Sequence, residues 1–281
     1  MKRSDGRKPL VSVRCLDSPR AMVYHRRMRS SHRSRILDQF TRQAVPFSQW
    51  GNIRNQEALN QIVRMSGAGP EDNVLDLACG PGLLVLAFAR VVRHAIGIDL
   101  TPAMLEQARK AQLEQGLTNV SWQQGDVTSL PYPDAKFSIV SSRFLLHHVL
   151  DPLTVLREMK RVCRPGGRVV VADTAPIASK AAALNAEERL RDPSHVRAMP
   201  LEELCGLYAK AGLASPRTGM YRLEGELEDL LSRSFPNAGD ADRIRGIFAD
   251  SIPDDALDLA TRLEQGKIFY SFPVAILVCS I

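Results

Sequence analysis

Three acidic residues stand directly after short apolar runs: Asp76 after Val74-Leu75, Asp99 after Ala95-Ile96-Gly97-Ile98, and Asp126 after Val120-Ser121-Trp122 and Gly125. Asp76 is followed by Leu77-Ala78-Cys79-Gly80-Pro81-Gly82, and glycines let a backbone approach a ligand closely. A dinucleotide fingerprint needs GxGxxG, yet the corresponding positions are Ala78, Gly80 and Leu83, and GxxxxGK[ST] is absent. Nicotinamide, flavin and P-loop nucleotides are therefore disfavoured. Asp99, 19 residues after Gly80, can accept from both hydroxyls of a ribose. Asp126 can accept from an adenine amino group, and the charge of Asp76 suits an amino-acid ammonium. The implied ligand has an adenosine and an amino acid but no phosphates.

Other chemistry-bearing residues lie farther along. His147 and His148 open the loop after the run Phe137–Ser141, and Arg191 and His195 lie in a later excursion. Cys15, Cys79, Cys163, Cys205 and Cys279 are scattered with no CxxC pair. That spacing indicates neither a metal site nor a disulfide framework, and cytoplasm is the expected compartment.

The elements that must position these residues alternate. Strand-like runs at 74–77, 95–99, 120–123, 137–141 and 168–172 are separated by helical stretches at 83–92, 102–115 and 152–163. Thr101-Pro102 and Asp151-Pro152 read as helix starts, and Gly116 as a stop. Such alternation predicts an α/β fold with a parallel sheet, whose ligands bind beyond the carboxyl ends of the strands. Helices are expected at 34–50 (Ile36, Phe40, Phe47 and Trp50 on one face), 56–65, 177–190, 200–211, 226–234, 241–250 and 254–265. Strands are expected at 217–223 and 267–280. No apolar run reaches the ~18 residues of a membrane span.

In that order the motifs resemble the class I S-adenosylmethionine-dependent methyltransferases. Val74 to Gly82 is similar to that family's first motif, with Ala78 in place of its usual first glycine. Ile98-Asp99-Leu100, then Gly125-Asp126-Val127 with Leu130-Pro131-Tyr132, resemble the next two. Arg143-Phe144-Leu145-Leu146-His147-His148 and Arg164-Pro165-Gly166-Gly167 are similar to the branch of ubiquinone/menaquinone C-methyltransferases and small-molecule enzymes. The resemblance implies a Rossmann-like, doubly wound seven-stranded sheet of order 3-2-1-4-5-7-6, the last strand antiparallel, with a helical insertion before it. It implies methyl transfer from S-adenosylmethionine to a small acceptor at an O, N or C centre. Asp76, Ala78, Gly80, Gly82, Asp99, Leu100, Gly125, Asp126, Val127 and Arg143 would bind the cofactor. The acceptor would meet Phe40, Phe47 and Arg191. His195, ahead of His148 and His147, is the expected base.

The chain has 281 residues and a net charge of +6. Residues 1–35 hold eleven Lys and Arg against Asp5 and Asp17, a net of +9, which leaves −3 for the remainder. The basic character belongs to the tail, so no nucleic-acid partner is expected from it. Residues 1–34 read as a mostly disordered extension that the fold can dispense with; a later start at Met22 or Met28, or an organelle-targeting segment, are the other readings. Residues 35–281 then form one domain: lid helices at 35–70, the cofactor core at 71–175, a substrate segment at 176–215, and the final strands at 216–281. The insertion in that last part could cover the site or make a homodimer contact. A methyltransferase acting on nucleic acid through the tail, or a catalytically silent binding protein, are the alternative functions. The run Ser141-Ser142-Arg143-Phe144 lacks the [DN]PP[YF] pattern of base amino-methylating enzymes, and no Pro-Cys motif is present.

Overall fold

The computed structural model describes residues 19–51 and 53–281. Its sheet is built from β1 (Asn73–Leu77), β2 (His94–Asp99), β3 (Val120–Gln124), β4 (Phe137–Arg143), β5 (Cys163–Thr174), β6 (Arg217–Glu226), β7 (Arg262–Glu264) and β8 (Lys267–Ser280). The order is β3-β2-β1-β4-β5-β8-β6, parallel from β3 to β5, with β8 antiparallel to both its neighbours. This is the doubly wound sheet expected from the sequence, with one strand more. The addition is the three-residue β7, which pairs with the start of β8.

Each buried strand feeds two cores. In β1, Val74 packs into one apolar cluster and Leu75 and Leu77 into the other; in β5, Val170 and Ala172 oppose Val169 and Val171. Side chains alternate across a strand, so a strand covered on both faces must be apolar at every position. Helices α2 (Gln56–Ser66) and α3 (Leu83–Ala89) cover one face, and α5 (Pro152–Val162) and α7 (Leu201–Lys210) the other. The turn after β1 is tight: at Gly82 (φ 80°) a Cβ would stand 2.4 Å from the Trp122 ring.

Two expectations are corrected. The first concerns the tail. Helix α1 runs from Pro19 to Ser48, so residues 19–34 belong to the fold, while residues 1–18 lie outside the described residues. Polar contacts hold this stretch to the body. His32 is buried, its Nε2 lying 2.7 Å from the carbonyl oxygen of His148, and Arg33 donates to Asp126 at 2.7 Å. Farther on, Gln43 donates to the Ser234 carbonyl and Arg233 to that of Pro46, fastening α1 to α8 (Leu227–Ser234).

The second is the helix at 254–265. Asp255 accepts the backbone N–H groups of Leu259 and Ala260, and Asp255, Asp258 and Ala260 all have positive φ. An aspartate that bonds its own following backbone competes with the helix ladder, and turns result. No helix among the described residues is long and apolar enough to cross a membrane.

Candidate active site

The carboxyl ends of β1, β2 and β4 open into a cavity of about 780 Å³, roofed by α1. Its polar lining includes Asp76, Asp99, Asp126 and Arg143. Its apolar lining includes Ile36, Phe40 and Phe47 from α1, with Phe144, Val149 and Leu150 from the loop after β4. Ala78, Gly80, Leu100 and Val127 also line it. Gly82 and Gly125 do not. The latter leaves space for Ile98, whose Cδ1 a Cβ would approach to 2.6 Å. Ala78 adopts φ 50°, the left-handed region that ordinarily takes glycine, at the floor of the site.

The carboxylates are held before any ligand arrives. Asp76 is 2% exposed and accepts from the Ser141 hydroxyl at 2.6 Å. Burial pushes its pKa up to about 7; Ser141 and Arg143 oppose this, and Asp99 adds to it. Asp99 accepts the N–H groups of Gly80 and Thr101 at 2.8 Å each, one per oxygen, and burial raises its pKa too. Asp126 accepts from Thr128 and Arg33. Arg143 donates to the Ile53 carbonyl at 2.8 Å and to Tyr221 at 3.3 Å, but its buried Nη2 has no hydrogen-bond partner. Burial pushes the Cys79 thiol far above its ordinary range, so the cavity contains no thiolate nucleophile there.

The histidines divide. His148 lines the cavity, edge-on to Phe40 with ring centroids 5.1 Å apart. Burial lowers its pKa, and the adjacent His147 lowers it further, so its ring is neutral near pH 7. His147 is turned to Asp173. Burial opposes a charge on it, but the Asp173 carboxylate outweighs burial and raises its pKa. His147 does not line the cavity, and neither do Arg191 and His195. His195 is 6% exposed, its Nε2 2.7 Å from the Asn185 side-chain oxygen, and burial pulls its pKa down to about 3. Arg191 is paired with Glu188. The segment expected to wall the acceptor instead forms a buried polar layer beneath the His148 loop. Trp50 is buried away from the cavity as well, and the helical insertion adds no lining residue.

That buried layer carries a stability prediction. Glu187 is fully buried, and burial and the neighbouring Glu188 hold its pKa well above the ordinary 4.5. The folded state keeps a proton that the unfolded chain releases. The stability present below about pH 4.5 is therefore lost as pH rises through the folded value, by at most about 1.4 kcal/mol per pH unit. Glu187→Gln removes this titration. Thermal unfolding should show the variant's Tm advantage widening between pH 5 and pH 8; a constant or shrinking gap would contradict the assignment.

Sequence reasoning passed over His32, Arg33, Asp192 and Ser194. The first two were hidden by the charge of the tail. Their signal is the helical spacing His32, Ile36, Phe40, which places all three against one cavity.

A cavity at the strand carboxyl ends, with an acid at or just beyond the end of each of the first three strands, is the arrangement of a Rossmann-like methyltransferase. Residues 75–171 match the methyltransferase-domain family model. The crystal structure of YcgJ from Bacillus subtilis superposes with a TM-score of 0.72 at 30% identity, covering 80% of this chain and 97% of that one. A 2-phytyl-1,4-naphtoquinone methyltransferase of Synechococcus elongatus is 41% identical over 116 residues, 40% of this chain and 49% of its own length. The ubiquinone/menaquinone C-methyltransferase UbiE of Bdellovibrio bacteriovorus is 35% identical over 144 residues, 49% of this chain and 61% of its own length. The sequence matches to these two curated relatives thus span half to three-fifths of each. The chain belongs to the class I S-adenosylmethionine-dependent methyltransferases.

Proposed function

We propose that the protein transfers a methyl group from S-adenosylmethionine to a small, largely apolar acceptor bearing an acidic proton, such as a phenol or quinol. The observation that carries this reading is the mixed lining of one cavity: three carboxylates and an arginine with a spare N–H, together with aromatic and aliphatic walls.

The residues present fit the cofactor. Arg143 has a buried, unpaired donor of the kind a carboxylate takes up, and Asp76 stands beside the same cavity for an ammonium. Asp99 is fixed by two backbone donors and keeps lone pairs for ribose hydroxyls, and Asp126, on the same cavity, would accept from the adenine amino group. Ala78, Gly80, Leu100 and Val127 supply the close walls. When bound, the cofactor supplies a methyl group already activated by its sulfonium. The protein's task is then alignment and exclusion of water. Phe40, Phe47 and Phe144 offer flat apolar surface to orient the acceptor. His148, neutral and on the same cavity, can take the acceptor's proton; its lowered basicity suits an acidic hydroxyl better than an alcohol. The naphthoquinone and ubiquinone/menaquinone enzymes among the relatives support an acceptor of this class.

Calorimetry with S-adenosylmethionine and S-adenosylhomocysteine tests the first half. Methyl transfer across a phenol and quinol panel beginning with 1,4-naphthoquinol tests the second. Micromolar-range binding with turnover on the panel is expected. Heat with NAD but with neither sulfur ligand would overturn the assignment, and binding without turnover would favour a silent binding protein.

A further inference from the structure

His148 meets Ser194 through Nδ1, 3.2 Å from the hydroxyl oxygen. That hydroxyl is itself 2.6 Å from Asp192 Oδ1, which also accepts the Ser194 backbone N–H at 2.8 Å. Asp192, Ser194 and His148 are all buried.

We propose that Asp192 and Ser194 are positioning residues that hold His148 in the tautomer protonated on Nδ1, leaving the Nε2 lone pair for the acceptor's proton. The inference rests on the reading of His148 as the base. A serine hydroxyl has one hydrogen, and the shorter contact, to a carboxylate, claims it. Toward His148 the same oxygen can then only accept, so Nδ1 carries the ring's hydrogen. The ring borders the cavity. A neutral imidazole with the other tautomer would present a hydrogen where a base must present a lone pair. The turn Asp192-Pro193-Ser194 could form without His148; the third contact makes the set directional.

The protein labelled with ¹⁵N-histidine allows the tautomer to be read by long-range ¹H–¹⁵N correlation, with His148 assigned from its absence in His148→Gln. Wild type should show Nδ1 protonated and Nε2 bare at neutral pH. Ser194→Ala should give a mixture, with S-adenosylhomocysteine affinity and Tm retained. Asp192→Ala frees the serine hydroxyl to donate to Nδ1 and should move the population toward Nε2–H. Asp192→Asn keeps an Oδ1 acceptor and should restore the wild-type tautomer and most of the turnover lost in Asp192→Ala. On the best panel acceptor, Ser194→Ala should lower kcat about tenfold or more with cofactor affinity unchanged. A wild-type ring protonated on Nε2, or a tautomer indifferent to Ser194→Ala, overturns the proposal. Unchanged turnover in His148→Gln would instead sink the base reading, with the tautomer measurement still standing by itself.

Discussion

Replacing His148 by alanine is expected to lower turnover about 10²–10⁴-fold while leaving S-adenosylmethionine affinity within a few-fold. Of His147, His148 and His195 it is the one on the cavity wall, and its neutral state keeps a lone pair available. His195→Ala, by contrast, removes a ring that bonds Asn185 inside the protein, and should lower Tm rather than act selectively on kcat. His147→Ala should perturb the loop through the loss of Asp173's partner. The low basicity of His148 also sets the acid limb of turnover below the usual histidine range, so activity should persist below pH 6.5. Steady-state kinetics with separate calorimetric titration of the cofactor checks all three variants. A His195→Ala protein with intact stability and a large loss of kcat would reverse the assignment.

The second large effect concerns binding. Asp76 has a pKa near 7 in the free protein because it is buried, so it is about half protonated at neutral pH. An ammonium arriving beside it favours the ionised form, and binding must release the proton. The cofactor's own ammonium stays predominantly charged from pH 6 to pH 7. Its Kd should therefore tighten about fivefold over that unit, with release approaching one proton per ligand at pH 6 and little by pH 8. Calorimetry in buffers of different ionisation enthalpy counts the proton directly. Asp76→Asn should abolish this release and weaken binding at pH 7 by about 1.5–3 kcal/mol, the worth of a charged hydrogen bond. A Kd flat across the range, with no proton released, would show that Asp76 does not face the ammonium.

The cofactor side of the site was legible in the sequence because parallel strands put function at their carboxyl ends. Asp76, Asp99 and Asp126 follow short apolar runs, and each reaches the cavity. The parallel sheet followed from the alternation, and the strand order from the family resemblance. The acceptor side was less legible, because it is made by segments distant in the chain whose side chains can be polar for reasons of packing. His195 and Arg191 look like exposed lid chemistry in sequence, yet they satisfy Asn185 and Glu188 in the interior. Residues 19–34 failed for the converse reason. Composition marks them as solvated, whereas single polar contacts by His32 and Arg33 hold them over the site. The helix expected at 254–265 was lost to local bonding by Asp255, a competition that apolar spacing does not register.

The placement of β8 between β5 and β6 bears on how the chain acquires its shape during synthesis. β5 and β6 follow one another in sequence but are not neighbours; each pairs with β8, so Arg168 waits for Ser280 and Tyr221 for Val274. Until that segment leaves the ribosome, two strand edges stand open, and such edges recruit other chains. The loops to be closed are long, which slows pairing further. The half from β1 to β5 can assemble earlier, since its partners lie close along the chain. The expected nascent species is thus a cofactor-binding half-sheet with an unguarded flank, and the vulnerable interval for aggregation or chaperone capture is the one before β8 is inserted.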